Sequence, residues 1–413
     1  VLDSKRVAAF IAMKRREMGL TQAQVAEKLG VSYQAVSKWE RGTVPNVEIV
    51  VELAKLLHVS VDTLLAGGES WFSYEKAGID LERLRAFKGE AAAYCTTGRL
   101  RVVDVPGFTP PLLDIHFPDM QEPVLVMNTN TIGAKCKLAA KYGYLEVVGR
   151  DIVNDLAANI CTAGARPLAF LDSIVGGGMD RELFASLLKG IEQGCEENES
   201  AFIGGCTNIQ PQTMLPRDYV LTGSLVGVVE KSQILDGTAI RSGDVILAVA
   251  SSGLHISHYT QMRVLLDKMP WLEAEMVDGE TFIQHIMKPQ PAYYKALRPL
   301  LGRAELHGIA HLTVRALVGG HLQALLPDGL AAEIDLKKLR PLPFFSFLKR
   351  VSGYDEEEMV NHQNCGVGLC LIVDMGSAEE IAKEISQHFG CYELGQIKRG
   401  SGKIVLKNHI KWE

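Results

Sequence analysis

At 413 residues the chain is too long for one ordinary domain, and 47% hydrophobic with 22% charged residues excludes a disordered or collagen-like polypeptide. The formal net charge of −6 excludes a protein that coats nucleic acid over its whole surface, yet residues 1–68 hold nine Lys or Arg against seven Asp or Glu, which suits a small basic reader on an acidic body. Eight cysteines without a close pair exclude a disulfide framework, and the charged start VLDSKRVAAF with no eighteen-residue apolar run leads us to expect no signal peptide, no membrane partner and a cytoplasmic location.

The first predicted element is a helix over 5–17, where Val7, Phe10 and Ile11 recur at helical spacing and Gly19 ends the run. Thr21 caps a second helix, with Gln24 three residues on as in a capping box, and Gly30 supplies the turn. Ser32 caps a third helix, SYQAVSKWERG, and Val25, Ala26, Leu29, Val31, Val36 and Trp39 are the expected shared core. A fourth helix covers 47–57, and Val61, Leu64 and Leu65 begin a fifth. The run TQAQVAEKLGVSYQAVSKWERGTVP, within 5–66, resembles the phage-repressor family of helix-turn-helix domains. That resemblance implies that helix 32–40 enters the major groove of duplex DNA and presents Ser32, Tyr33, Gln34, Ser37 and Lys38. Gln34 suits adenine, Lys38 suits guanine or phosphate, and Gln22 and Arg41 suit the backbone.

Residues 69–73 are read as a linker within the hinge AGGESWFS. Beyond it, EPVLVMN, RPLAFLDSI, DYVLTGSLVGVV and GDVILAVA are short β-rich runs bounded by turn residues. Helices are predicted at 151–162, 182–197, 258–268 and 302–317. Near the end GVGLCLIVDM reads as a strand, AEEIAKEISQHFG as a helix, and CYELGQIKRG with KIVLKN as a closing hairpin. The body is therefore α/β, in two domains divided near 230–239.

Seven pieces of this body, in order, resemble aminoimidazole ribonucleotide (AIR) synthetase, the cyclo-ligase family of purine biosynthesis. They are YEKAGID, PVLVMNTNTIGAKCKLA, GRDIVNDLAANICTAGARPLAFLD, AFIGGCTNIQP, GDVILAVASSGLHISHYTQMR, GIAHLT and EEMVNHQNCGVG. The expected architecture is thus multidomain: an all-α helix-turn-helix head at 1–68, then a two-domain α/β PurM-like (AIR synthetase-like) body. Its domains are expected at 74–232, which dimerises, and 233–413. The resemblance implies a homodimer built on four strands from each first domain. It also implies conversion of formylglycinamidine ribonucleotide with ATP and magnesium.

The family pattern breaks at its acids. Asn130 and Asn159 stand where the pattern has aspartates, Cys206 where it has a glutamate, and Val220 where it has another aspartate. Asp155 can restore one of these charges, not four. The segment DVPGFTPPLLDI at 104–115 replaces a glycine-rich stretch, and VRALVGGH breaks a triple glycine. Lys135 and Asp151 survive. With Thr129 they are expected to grip phosphate or ribose, and Asn130, Asn159, Cys206, Thr207, His255 and Asn364 complete the expected ligand set. The bland alternatives are a helix-surface lysine for Lys135 and a structural hydrogen bond for His255. Cys206 is expected in the core rather than as a nucleophile. Cys206, His255 and His258 lack the spacing of a zinc site, and no catalytic residue or metal ligand is assigned.

The expected function is a DNA-binding transcriptional regulator whose carboxylate-depleted body dimerises and senses a nucleotide or purine intermediate. The alternative is an active cyclo-ligase carrying a DNA-binding head, with magnesium required only there; a third reading is a dimerisation platform without ligand. Expected partners are duplex DNA, ATP or another nucleotide or purine intermediate, and a second copy.

Overall fold

Asp3 opens the first helix by accepting the N–H groups of Lys5 and Arg6, and α1 runs Ser4–Glu17. Helix α2 (Gln22–Leu29) carries the Thr21–Gln24 capping box and ends at Gly30, whose φ of +65° suits glycine. Ser32, Asn46 and Ser60 cap α3 (Tyr33–Trp39), α4 (Val47–Leu56) and α5 (Val61–Leu65) in the same way. Val7, Phe10, Ile11, Val25, Ala26, Val36, Trp39 and Leu53 close one core, with Leu29 and Val31 half-buried at its edge.

The computed structural model describes residues 3–68, 74, 77–96, 98, 101–103, 112–313, 317–401 and 403–412, as two compact units, Val1–Leu81 and Glu82–Glu413. The expected linker 69–73 and parts of three quoted segments (75–76, 104–111 and 314–316) lie outside the described residues.

The body opens with α6 (Leu81–Ala91) and a small antiparallel pair, β1 (Val102–Val103) and β2 (Leu112–Leu113). Its first sheet has the order β3-β6-β4-β5, from β3 (Pro123–Thr131), β4 (Arg166–Gly176), β5 (Ala201–Ile209) and β6 (Tyr219–Glu230). Only β4 and β5 are parallel. Helices α7 (Lys135–Tyr142), α8 (Leu145–Cys161) and α9 (Arg181–Glu197) accompany it, and α8 packs on β3, β4 and β6. Glycines set the α8–α9 approach: a Cβ on Gly149 would lie 2.1 Å from the Leu187 carbonyl oxygen, and one on Gly190 2.0 Å from that of Glu146. That contact seats α8, and α8 carries most of the site described below.

The second sheet has the order β10-β12-β7-β13-β11-β14. Its strands are β7 (Val245–Ala250), β10 (Leu306–His311), β11 (Leu330–Asp335), β12 (Val367–Val373), β13 (Cys391–Arg399) and β14 (Ile404–Lys407), with a two-strand flap, β8 (Met276–Val277) and β9 (Glu280–Thr281), beside it. Helices α10 (Tyr259–Lys268), α11 (Phe282–Ile286), α12 (Tyr294–Leu297), α13 (Gly320–Ala324), α14 (Pro343–Ser352), α15 (Glu356–His362) and α16 (Ala378–Ile385) complete this half.

Two predictions fail here. The helix expected over 302–317 is instead strand β10. Its six residues are all buried, so the run shows no alternation, and pairing with β12 decides its form. The closing hairpin is also wrong. β13 and β14 each bond to β11 rather than to each other, antiparallel for β13 and parallel for β14. The small residues Ala331, Ala332, Gly395 and Gly400 admit β11 between them: a Cβ on Gly395 would sit 2.2 Å from the Glu333 carbonyl oxygen.

Candidate functional site

On the head, α3 turns Tyr33, Gln34 and Lys38 to solvent, with Tyr33 56% exposed. Ser37 is half-buried on the same helix, and Ser32 uses its hydroxyl oxygen to accept the Ala35 N–H at 3.3 Å. The Arg41 guanidinium folds back onto the Ser37 carbonyl at 3.1 Å. Gln22 donates to Glu40 at 2.6 Å, and Glu40 also takes Arg15 at 2.5 and 3.0 Å. Burial works against the Glu40 carboxylate, but these hydrogen bonds hold it below its ordinary range. The end of α3 is thereby tied to α1, and the exposed face is held at a fixed angle.

In the body, three α8 residues at four-residue spacing share a face: Asp151, Asp155 and Asn159. Asp155 accepts the side-chain amides of Asn130 at 2.9 Å and Asn159 at 3.1 Å. The oxygen of Asn130 accepts the Thr131 N–H at 2.8 Å, and that of Asn159 faces His311 Nδ1 at 2.8 Å. Because Asn159 gives its amide to Asp155, its oxygen must accept, so His311 carries its proton on Nδ1. Gln290 Nε2 then donates to His311 Nε2 at 3.3 Å. Burial drives His311 down to about 3, so it is neutral, and lifts the Asp155 carboxyl to about 6 against the pull of the two amides. Among the described residues Asp155 Oδ1 and Gln290 Oε1 are buried without a partner.

Lys135 is not the surface lysine of the bland reading; it is wholly buried. Its ammonium donates to Asp151 at 2.5 Å and to the carbonyls of His255 at 2.9 Å and Lys288 at 3.5 Å. Asp151 takes the Gln290 N–H at 2.7 Å on its other oxygen. Burial pushes the Asp151 carboxyl up while the ammonium and the amide pull against it. All three ammonium hydrogens have acceptors, so this pair joins the two sheets' halves rather than reaching outward. His255, at φ +58°, is buried; its Nε2 lies 3.4 Å from the Tyr293 hydroxyl, and burial lowers its pKa well below the usual value. Asn364 spends its side chain on the Gly253 carbonyl and the Gly366 N–H. Thr129 donates to the Gly223 carbonyl at 2.9 Å.

Asn130, Asn159, Cys206 and Val220, expected to stand in place of acids, do not meet in one place. Strand register sets Asn130, Gly223, Asp172 and Gly205 in one row, and Thr131, Thr222, Ser173 and Cys206 in the next. Successive rows face opposite sides of the pleat. Asn130 turns toward α8, whereas Cys206 and Val220 lie on the open side with Val220 44% exposed. Thr207 belongs to the row of Ile174 and Leu221, on the α8 side. Cys206 is exposed, which overturns its expected place in the core: the neighbouring glycines and the strand's alternation, not its own hydrophobicity, set its side. Among the described residues no three His, Cys, Asp or Glu side chains converge as a metal site.

The sequence reading missed Asp172, His311 and Gln290 as members of this region. Asp172 is buried, and burial raises its carboxyl to about 7. The only available signals were the aspartate closing the RPLAFLD run and the histidine in GIAHLT.

Comparison with known proteins follows the same division. A helix-turn-helix family model matches residues 11–64. Models of the AIR synthase related protein match residues 115–229 with its N-terminal domain and 241–407 with its C-terminal domain. A phosphoribosylformylglycinamidine cyclo-ligase of Staphylococcus carnosus (strain TM300) is 32% identical over 348 residues, covering 82% of this chain and 99% of that protein. One of Streptococcus mutans serotype c is 33% identical over 341 residues, covering 81% and 98%. Among solved structures, thiamine-monophosphate kinase from Stenotrophomonas maltophilia K279a superposes with a TM-score of 0.56 at 17% identity, over 80% of this chain and 96% of that one. E. coli HypE does so at 0.58 and 13%, over 80% and 97%. These two likenesses show the fold alone.

Proposed function

Since the chain belongs to the AIR synthase related family and carries a helix-turn-helix head, we propose that it is a DNA-binding transcriptional regulator whose body binds a nucleotide or purine intermediate without magnesium-assisted phosphoryl transfer. The observation that carries this reading is the state of Asn130 and Asn159. Each stands where the family pattern has an aspartate, and each has given its amide to Asp155 and its oxygen to Thr131 or His311. Magnesium takes hard oxygen ligands, carboxylates first. Two engaged amides, one buried carboxylate with a single oxygen bound and, on the other side of the sheet, a thiol and a valine do not fit a magnesium–triphosphate complex.

The head reads a groove with Gln34 and Lys38, and one such module gains useful specificity from a second copy. The open side of the first sheet, where Leu125, Met127 and Val220 are 44%, 72% and 44% exposed, is where that copy pairs in this reading. A ligand then acts by binding one arrangement of the dimer better than another.

A cyclo-ligase carrying a DNA head is the second reading. It is favoured by one observation: the likeness to the Staphylococcus carnosus cyclo-ligase runs over 99% of that protein. Thermal-shift titration with ATP, AMP and purine intermediates, with magnesium or with EDTA, separates the two. A metabolite that stabilises the chain in EDTA, with no ATP hydrolysis on adding formylglycinamidine ribonucleotide, is the expected result. Magnesium-dependent stabilisation by ATP together with hydrolysis establishes the enzyme instead.

A further inference from the structure

Within a chain of net charge −6, residues 394–412 hold five Lys or Arg and no Asp or Glu. The second sheet brings this segment beside the turn that follows β11, which reads KKLR. Between them lies an open cleft of about 700 Å³, lined by Lys337, Lys338, Arg340, Lys411, Tyr392 and Glu393 among others. Lys338 pairs with Glu393 at 2.6 Å, and the Arg340 guanidinium lies over the Tyr392 ring at 4.5 Å. Lys337, Arg340 and Lys411 are exposed and, among the described residues, pair with no carboxylate. Asp335 is close enough for Lys337 and Lys338 to add to the hydrogen bond from Asn408 that lowers its carboxyl, and the cleft still keeps an excess of positive charge.

Like charges so close together repel, and at ordinary ionic strength screening acts only beyond about 10 Å. A cluster in which three of four cations, Lys337, Arg340 and Lys411, have no ion-pair partner among the described residues is matched to an external polyanion. We infer that this cleft on the body is a nucleic-acid contact in its own right, taking the sugar–phosphate backbone of duplex DNA. The choice of DNA as the polyanion rests on the DNA-reading role of the head. The chemistry fits: lysine and arginine side chains, joined by the Tyr392 hydroxyl, are the usual partners of phosphate oxygens.

The test uses the full chain and a random-sequence DNA duplex, with the association constant measured against salt. Replacing Lys337, Lys338 and Lys411 by Gln should lower the slope of log K against log salt by about 2 to 3, near 0.9 per lost phosphate contact. Affinity should fall alike on every DNA sequence. A control with the same change in net charge, Lys189, Lys268 and Lys383 to Gln, should leave the slope where it was. Equal slopes for the two variants, or no change in the first, overturn the inference. So does loss of polyglutamate binding with DNA binding intact, which assigns the cleft to an acidic protein partner. If the unaltered chain binds no duplex at all, the head reading fails first, and a retained head with an unchanged slope fails only this one.

Discussion

In the head, Gln34 and Lys38 stand exposed one turn apart on α3, and neither side chain has a partner among the described residues. In the body, Asn130 and Asn159 each have the amide nitrogen and the oxygen engaged in one hydrogen bond, and Lys135 has acceptors for all three ammonium hydrogens. Both sets of residues were legible as binders by type and position. What separates them is supply: Gln34 and Lys38 keep all their donors for a ligand, whereas the Lys135 ammonium is fully spent on Asp151 and two carbonyls and the two amides are partly spent on Asp155. In the body the amides of Asn130 and Asn159 both go to one oxygen of Asp155, while its other oxygen, Oδ1, is buried without a partner among the described residues.

The strongest way to break this contrast is Lys135→Met. It strips Asp151 of a buried counter-charge, and breaking such a pair typically costs about 3–5 kcal/mol. Urea denaturation should show a loss of that size, with much of it recovered in the double variant Lys135→Met with Asp151→Leu. A loss below about 1 kcal/mol would mean that the ammonium is free to serve a ligand after all.

A smaller effect sharpens the same point through pH. Asp155 has a folded pKa of about 6 against an ordinary 3.8. A raised folded value means its contribution to stability is full below about pH 4 and is lost as pH rises through 6, on the order of 3 kcal/mol in all. Asp155→Asn should flatten the difference in unfolding free energy between pH 4 and 7 while keeping an acceptor for Asn130 and Asn159. Asp172, raised to about 7 by burial, bears the same sign over a slightly wider window, so some slope should remain until it too is replaced. An unaltered pH profile in Asp155→Asn would show that this carboxylate is solvated, and the pocket open.

How much of this was readable beforehand follows from the range of the interactions. Every helix of the head was set by neighbours: Asp3, Thr21, Ser32, Asn46 and Ser60 each cap through a residue at most three positions away. The body's strands were visible where turn residues bracket a β-rich run, as in β3, β4, β6 and β7. β10 was misread because a fully buried run has no period, and β11 was missed because its two alanines and a glutamate carry weak strand preference. The four-residue spacing of Asp151, Asp155 and Asn159 was present in the sequence. Its meaning was not, since the partner of Asn159 lies 152 positions away at His311. Cys206 was misplaced because composition says nothing of which side of a pleat a residue takes; the register with Ser173 does.

The smallest expected effect falls on the open side of the contrast. Gln34 has no internal role to lose, so Gln34→Ala should leave the thermal midpoint of the head unchanged. Its amide can pair both ways with adenine, and such a pair discriminates against the wrong base by about 1–3 kcal/mol. Binding to a selected operator should therefore weaken by that amount while binding to random duplex stays level. Lys38→Ala offers the contrast: if that lysine meets phosphate, both affinities fall together and the salt slope drops by about 1. If Gln34→Ala instead weakens random and selected DNA equally, its side chain touches backbone, and the base reading passes to Tyr33 or Ser37 on the same helix.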